Sequence, residues 1–322
     1  MPLLRRTCLT LPLMLGLAAG GAFAQSWPTK PIRLVVPFSA GGANDLMARA
    51  AAEGASKALG QPVVVDNKPG AGTALGADQV SKSAPDGYTF LVSAAGVISN
   101  SMIRTNMPYK DEALVPVAMI GLAPSVIVVP ADAPYKDLKE FVAASKKSGA
   151  GFHWATAGTG STPHFVEGLL ETKYGAKLDL VPYKSGSESI TAVLGKQVEA
   201  TSEASIVVLP YIKSGKLKAL ADTWTQRISA YPELSTAAEQ GFPEIRIAHW
   251  AGVHAPRGTP PEILDKMAAA VDAAMKTPAT AQRLKSMGIE PIGGTRASFV
   301  KFVEEERARL GGVVKATGMK DE

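Results

Sequence analysis

The stretch that most constrains this chain is Ile32-Arg33-Leu34-Val35-Val36-Pro37-Phe38-Ser39-Ala40-Gly41-Gly42-Ala43-Asn44-Asp45-Leu46-Met47-Ala48-Arg49. A short apolar run leads into a turn of small residues and then into a helix. Asn44 or Asp45 can open that helix, because their short side chains accept from the free N–H groups of a first helical turn. A strand–turn–helix junction of this kind is suited to an anion. Gly41 and Gly42 leave the backbone bare for close approach, and the helix dipole adds partial positive charge at the same place. A carboxylate suits it better than a nucleotide, because the stretch lacks the GK[ST] ending of a phosphate loop and a clean G-x-G-x-x-G. Taken alone, Gly-Gly before a helix is more often only a tight connection.

The following residues extend the pattern. Pro62 to Asn67 reads as a second buried strand, Lys68-Pro69-Gly70-Ala71-Gly72 as its turn, and residues 75–83 as a helix. Tyr88 to Ser93 reads as a third strand ending in Ala94-Ala95-Gly96. Repeated strand-then-helix units predict a parallel sheet with helices on its faces, and ligands then sit at the carboxyl ends of the strands, where residues 39–42 and 93–96 fall. The apolar runs Val117 to Gly121 and Ser125 to Val129 predict a crossing to a second domain. There Phe152 to Thr156 leads into Ala157-Gly158-Thr159-Gly160-Ser161-Thr162-Pro163-His164 and a helix with Phe165, Val166, Leu169 and Leu170 on one face. Pro163 suits the first helical turn and Thr162 the cap, so this junction repeats the first. Two anion-ready turns, one per domain, predict one ligand held between them. The alternation of Ile245 to Pro256 predicts a return crossing, and two crossings make a hinge. The chain beyond Gly258 reads as helical, with a last helix over 298–316.

Ahead of the first strand, Arg5 and Arg6, the apolar stretch from Leu9 to Ala19 and Ala22-Phe23-Ala24 have the pattern of a removable export leader of 24 residues. The apolar part is about half the ~20 residues that a membrane span needs. The one cysteine, Cys8, lies inside that leader, so the mature chain is expected to have no disulfide, no thiol nucleophile and no cysteine-held metal. A chain of 322 residues less 24 leaves 298, more than one hydrophobic core usually serves, which predicts two domains. Removing the two leader arginines lowers the formal charge from +5 to +3. That excess is spread without a basic block, so nucleic-acid binding has little support.

The four histidines, His153, His164, His249 and His254, lack the spacing of helix-borne metal ligands, and neither a metal nor a cofactor is expected. His164 stands at a helix N-terminus, which favours a neutral ring able to hold the glycine turn; direct ligand contact is the alternative. Ser161 and His164 as nucleophile and base would need a geometry that residues three apart rarely give, and no G-x-S-x-G elbow is present. Glu203 reads either as a receiver for a ligand amine or as an ordinary solvated carboxylate. Arg104 reads as a partner for a second ligand carboxylate or as a surface residue, and Trp250 as a stacking platform or a core residue at the hinge.

Together these segments resemble a known family, the extracytoplasmic solute receptors of tripartite tricarboxylate transporters, also called Bug receptors. The resemblance runs from Trp27 to about Lys320. It rests on Trp27-Pro28-Thr29-Lys30-Pro31-Ile32, Val36 to Asp45, Asn67 to Gly72, Pro85-Asp86-Gly87-Tyr88-Thr89, Gly158-Thr159-Gly160-Ser161 with His164, Val181-Pro182-Tyr183-Lys184, Ser214-Gly215-Lys216-Leu217 and Ala255-Pro256-Arg257-Gly258-Thr259-Pro260-Pro261. Any one of these is weak; their order and spacing are strong.

The resemblance implies an α/β fold: a two-domain periplasmic-binding-protein clamshell, type II-like, each domain a mixed sheet flanked by helices, with two crossover hinge strands. Residues 25–124 with 249–322 would form domain 1 and residues 125–248 domain 2. It implies a periplasmic, non-catalytic, monomeric receptor that binds a small carboxylate and passes it to membrane transporter subunits. The ligand would be gripped by Phe38, Ser39, Ala40, Gly41 and Gly42 on one side and by Thr156, Ala157, Gly158, Thr159, Gly160 and Ser161 on the other. Asp45 and His164 are read chiefly as supports of those turns, with Ser93, Ala94, Ala95 and Glu203 on the wall that reads the rest of the ligand. Ala40 stands where the family commonly has proline, Ala192 where it commonly has aspartate, and Glu203 where aspartate is frequent, and Trp154 is unusually bulky. These departures bear on the ligand, for which a dicarboxylate or an aromatic carboxylate is expected. A periplasmic sensor for a membrane signalling protein and a hydrolase on the same plan are the alternatives.

Overall fold

The computed structural model describes residues 27–183 and 185–320. The leader assigned to residues 1–24, and Lys184 of the quoted motif, lie outside the described residues.

The chain opens as three strand-then-helix units: β1 (Ile32–Val36), α1 (Ala43–Leu59), β2 (Val63–Asn67), α2 (Ala74–Ser81), β3 (Thr89–Ser93) and α3 (Ala95–Ile103). β1 pairs in parallel with β2 and β3, as such units require. α1 stops at Gly60, whose positive φ of 68° caps its last turn. Its alanine-rich inner face, with Met47, is buried, and Gly54 lets it lie against a later helix: a Cβ there would be 2.3 Å from that of Ala274.

β4 (Leu114–Pro130) then runs through what the sequence presents as two apolar segments. Pro124, which would interrupt a ladder, falls where the strand changes partners, so no pairing is lost there. The second unit follows with α4 (Leu138–Lys147), β5 (Phe152–Thr156), α5 (Thr162–Tyr174), β6 (Leu178–Pro182), α6 (Gly186–Leu194), β7 (Ala200–Ala204), α7 (Ser205–Lys213) and β8 (Leu217–Asp222). The chain returns through β9 (Ala248–Pro256) and closes with α8 (Pro261–Lys276), α9 (Pro278–Ser286), the two-residue β10 (Glu290–Pro291) and α10 (Arg296–Thr317).

The first half of β4 pairs antiparallel with β9, which lies against β3, so the first sheet is β2-β1-β3-β9-β4-β10. The second half pairs with β7 and β8, giving a second sheet, β8-β4-β7-β5-β6. Both sheets are mixed and flanked by helices: a two-domain clamshell whose sheets share one long strand. Thr223 sits at the crossings. Its N–H and hydroxyl reach Ser125 O, its hydroxyl lies 2.6 Å from Ile247 O, and its carbonyl accepts from Ile247 N–H. α10 spans both units. Phe299 and Val303 pack with Trp250 and Met119 beside the first sheet, while Leu310 and Val313 join Phe165 and Leu170 in a core of the second.

Candidate functional site

A cavity of about 590 Å³ opens between the two units, at the carboxyl ends of β1, β3, β5 and β7. Its first wall is the β1–α1 turn, residues 37–44. That turn is braced from behind. Asp45 Oδ2 accepts from Gly41 N–H at 2.9 Å and from Arg49 Nε at 2.9 Å, and Asn67 Nδ2 donates to Asp45 Oδ1 and to Phe38 O. These donors hold the Asp45 carboxyl below the usual carboxylate range in spite of the burial that opposes them. One expectation is corrected: the Gly41 N–H points back to Asp45 and is not offered to a ligand. Gly41 is still required by its φ of +85°, and a Cβ added there would meet nothing within 4 Å. The donors left for a ligand belong to the first turn of α1, which has no side-chain cap.

The opposite wall is the β5–α5 turn, through Ala157, Thr159, Gly160, Ser161, Thr162 and Pro163. It is built the same way. Gly160 N–H donates to His164 Nδ1 at 3.3 Å, four residues on, as Gly41 does to Asp45. An accepting Nδ1 requires a neutral ring, and burial lowers the His164 pKa accordingly. Thr156 Oγ1 accepts from Gly158 N–H, and buried Trp154 fixes the helix start by donating from Nε1 to Pro163 O at 3.0 Å. Ser161 Oγ is buried without a hydrogen-bond partner, so Ser161 and His164 form no nucleophile–base pair.

The cavity therefore gathers most of the expected residues and leaves out others. Phe38, Ser39, Ala40, Gly41, Gly42, Ala94, Ala95, Ala157, Thr159, Gly160, Ser161 and Glu203 line it. Asp45, Thr156, Gly158 and His164 are not among its lining residues. Ser93 is also absent from the lining: it is fully buried and its hydroxyl donates to Gly252 O, because its place in β3 turns it towards β9. Arg104 is committed elsewhere, donating from Nη1 to Ala71 O at 2.8 Å. Trp250 fills the core, packed edge-on against Phe299 and Phe302, and also lines the cavity.

One part of the site escapes sequence reasoning. The loop of residues 69–73 forms a third wall, with Ala71 and Thr73 at positive φ of 47° and 82° and with Asn100 Nδ2 donating to Gly72 O. Its Gly70 and Gly72, at the end of the second strand, were the available signal. The far wall is Ser185, Gly186 and Ser187 with Glu203, in the region the resemblance points to (residues 183–187 and Glu203), joined by Val207 and His249. Glu203 is 5% exposed, and burial pushes its carboxyl up to about 8. Burial likewise pushes His249 down to about 4, and its Nε2 has no partner.

Among the described residues, no lysine or arginine lines this cavity. Its positive potential comes from backbone. α1, α3, α5 and α7 begin at its edge without a side-chain cap, while α6, which also begins there, is capped by the Ser185 hydroxyl accepting from Glu188 N–H. Free N–H groups converging on a space between two hinged domains can hold an oxyanion and draw the domains together around it.

A two-domain clamshell with such a cavity defines a solute-binding protein. The chain belongs to the tripartite tricarboxylate transporter family of receptors, whose model matches residues 47–319. Protein BugT of Bordetella pertussis is 36% identical to it over 300 residues, covering 92% of each chain. Among solved structures, the periplasmic binding protein BugD superposes with a TM-score of 0.82 at 31% identity, covering 92% of this chain and all of that one. An R. palustris protein solved with adipate superposes with a TM-score of 0.84, also at 31% identity, covering 91% of this chain and 99% of that one. The family consists of receptors, and no helix among the described residues is long and apolar enough to cross a membrane.

Proposed function

We propose that this protein captures a small carboxylate, a dicarboxylate or an aromatic acid, between its two domains in the periplasm, and delivers it to the membrane subunits of a tripartite tricarboxylate-type transporter. The division lies at residues 124/125 and 248/249. One ligand carboxylate rests between the first turns of α1 and α5, touching Ser39, Ala40 and Gly42 on one side and Thr159, Gly160 and Ser161 on the other. Asp45 and His164 hold those turns without touching it. The observation that carries this reading is the convergence of uncapped helix starts from both domains on one cavity whose lining, among the described residues, includes no cationic side chain. The adipate-bound relative supports the ligand class, and the leader-like pattern of residues 1–24 supports export.

A thermal-shift screen against citrate, succinate, adipate, aspartate, glutamate, nicotinate, benzoate and terephthalate tests the reading. An acid present at 100 times its dissociation constant adds about 2.7 kcal/mol to the folded state. The shift is expected for one chemical class and is expected to vanish in Gly160→Val, whose side chain would drive into Ile103 Cδ1, 2.4 Å from the added Cβ. A ligand-free preparation that no carboxylate stabilises would overturn it.

A further inference from the structure

The cavity has two chemically different ends. Backbone N–H groups dominate one; the other is the far wall, where the ionisable groups are Glu203 and His249. Glu203 Oε1 is buried without a hydrogen-bond partner, and its carboxyl lies directly under the start of α6: a Cβ on Gly186 would be 2.5 Å from Oε2. Gly186 thus leaves just the room the carboxyl occupies. Opposite Glu203, β4 presents Val126, and α7 contributes Val207 to the lining. Glu188, on the first turn of α6, is exposed, and Asp45 and His164 are turned to their own glycine turns. Among the described residues, then, no cation faces Glu203 to hold it as a carboxylate.

A buried carboxyl without a counter-charge keeps its proton, and a protonated carboxyl is a hydrogen-bond donor. We propose, resting on the carboxylate reading above, that Glu203 is the specificity residue for the distal end of the ligand: as a neutral acid it donates its O–H to an acceptor there, a second carboxylate or a carbonyl oxygen. No bond is made or broken; the proton is shared between two oxygens. A charge-assisted O–H···O⁻ bond of this kind is short and strong, and it compensates a second ligand charge without an arginine. A ligand with a methyl group at that end leaves Oε1 unpaired, and one with an ammonium must first strip the proton from Glu203. The cavity therefore ranks acids of equal length by their far end: acceptor first, methyl second, cation last.

The same chemistry makes binding depend on pH. Burial holds the Glu203 proton up to about pH 8, so the donor is intact at pH 7 and mostly gone at pH 9. Both carboxylates of a simple diacid are ionised throughout that range, so the titration belongs to the protein. His249, pushed down to about 4, stays neutral across it.

Calorimetric titration of the whole protein with two isosteric series tests this: succinate, butyrate and 4-aminobutyrate, then adipate, hexanoate and 6-aminohexanoate. One diacid is expected to bind more tightly than its monoacid, with the amino acid weakest. Its affinity is expected to fall about tenfold from pH 7 to pH 9, as a donor with a pKa about 8 requires. Glu203→Gln keeps a donor of the same shape, so it should bind the diacid within a few-fold of wild type and with a flat pH profile. Preference for the amino acids, with affinity that rises with pH and is lost in Glu203→Gln, would overturn the proposal in favour of an ionised Glu203. Equal affinity for diacid and monoacid, unaltered by pH or by Glu203→Gln, would overturn it while leaving the carboxylate reading intact. Binding of none of the six, with none of the aromatic acids binding either, would overturn the carboxylate reading and this inference with it.

Discussion

Gly41 and Gly160 each give their N–H to a side chain four residues further on, Asp45 in one domain and His164 in the other. The same task falls to an anion in one place and a neutral imidazole in the other because their surroundings differ. Asp45 has Arg49 and Asn67 to hold its charge, whereas burial keeps His164 neutral. Asp45→Asn retains one acceptor but turns an NH₂ towards donors that expect an oxygen. The loss expected is about 1–3 kcal/mol of stability, the cost of breaking a charged hydrogen bond and stranding a donor. Affinity for whichever acid binds should fall about tenfold, equivalent to ~1.4 kcal/mol, because the first turn of α1 is no longer held in place. Denaturant melts and titration of the same variant check both; a stable variant with full affinity would show that the brace is dispensable. A support role for His164 was suggested by its place at a helix start and that of Asp45 by the family resemblance alone; their bonds to the glycine four residues earlier are visible only in the structure. The direction of the Gly41 N–H was not legible in the sequence, because it depends on a φ of +85° that glycine permits but does not dictate. Nor was the burial of Glu203, which lies inside β7, one residue before its end at Ala204.

At the scale of elements, the alternation of strand and helix was plain from the spacing of apolar runs and turns, and with it the side of each sheet on which a ligand should lie. Two helices that start at the cavity were not foreseen. α3, AGVISNSMI, has its polar residues Ser99, Asn100 and Ser101 in one consecutive block, so it carries no helical periodicity to detect, and α7 contains Pro210, which argues against a helix in any reading by propensity. Both became helical because each follows a strand directly and packs between larger elements. Their uncapped starts are costly to a free protein: a first turn without an acceptor gives up about 1 kcal/mol relative to one capped by Asp or Ser. Ala94 has the extended backbone of a cap position before α3, lacks a capping side chain and faces the cavity. Ala94→Asp is therefore expected to raise the melting temperature of the ligand-free protein by a few degrees while abolishing acid binding, because the new carboxylate takes the donors and repels the ligand. Calorimetric melting and titration would record the two effects together, and an Ala94→Asp protein that still binds would show that α3 does not contribute to the anion site.

The whole molecule carries a set of buried ionisable groups whose effects on stability have opposite signs. Burial pushes Glu167 in α5 and Glu203 in β7 up to about 8, and Asp222 at the end of β8 up to about 7. Each keeps its proton in the fold but ionises near its ordinary value, about 4 to 4.5, once unfolded, so it favours the fold fully below that value and ceases to do so as pH rises through 7 to 8. His249 and His254, both in β9, are pushed down to about 4 and about 3. They take up a proton near 6.5 when unfolded, so they favour the fold above that value and stop doing so as pH falls towards 4 and 3. Burial lowers the His164 pKa as well, so three imidazoles oppose the three acids below pH 6.5; above it the histidines contribute nothing further while the acids are still losing their protons. Stability is thus expected to be greatest near pH 6, to fall from about pH 6.5 to 8, and to level off above that, the plateau lying where folded and unfolded states bind the same number of protons. Melting temperatures recorded from pH 4 to 9 would show this limb, and Glu167→Gln, Asp222→Asn and Glu203→Gln combined should flatten it. A wild-type melting temperature that does not fall between pH 6.5 and 8 would mean that these acids are ionised in the fold. That result would also remove the donor on which recognition of a ligand's far end depends, so the stability profile of the empty protein and the specificity of the loaded one stand on the same protons.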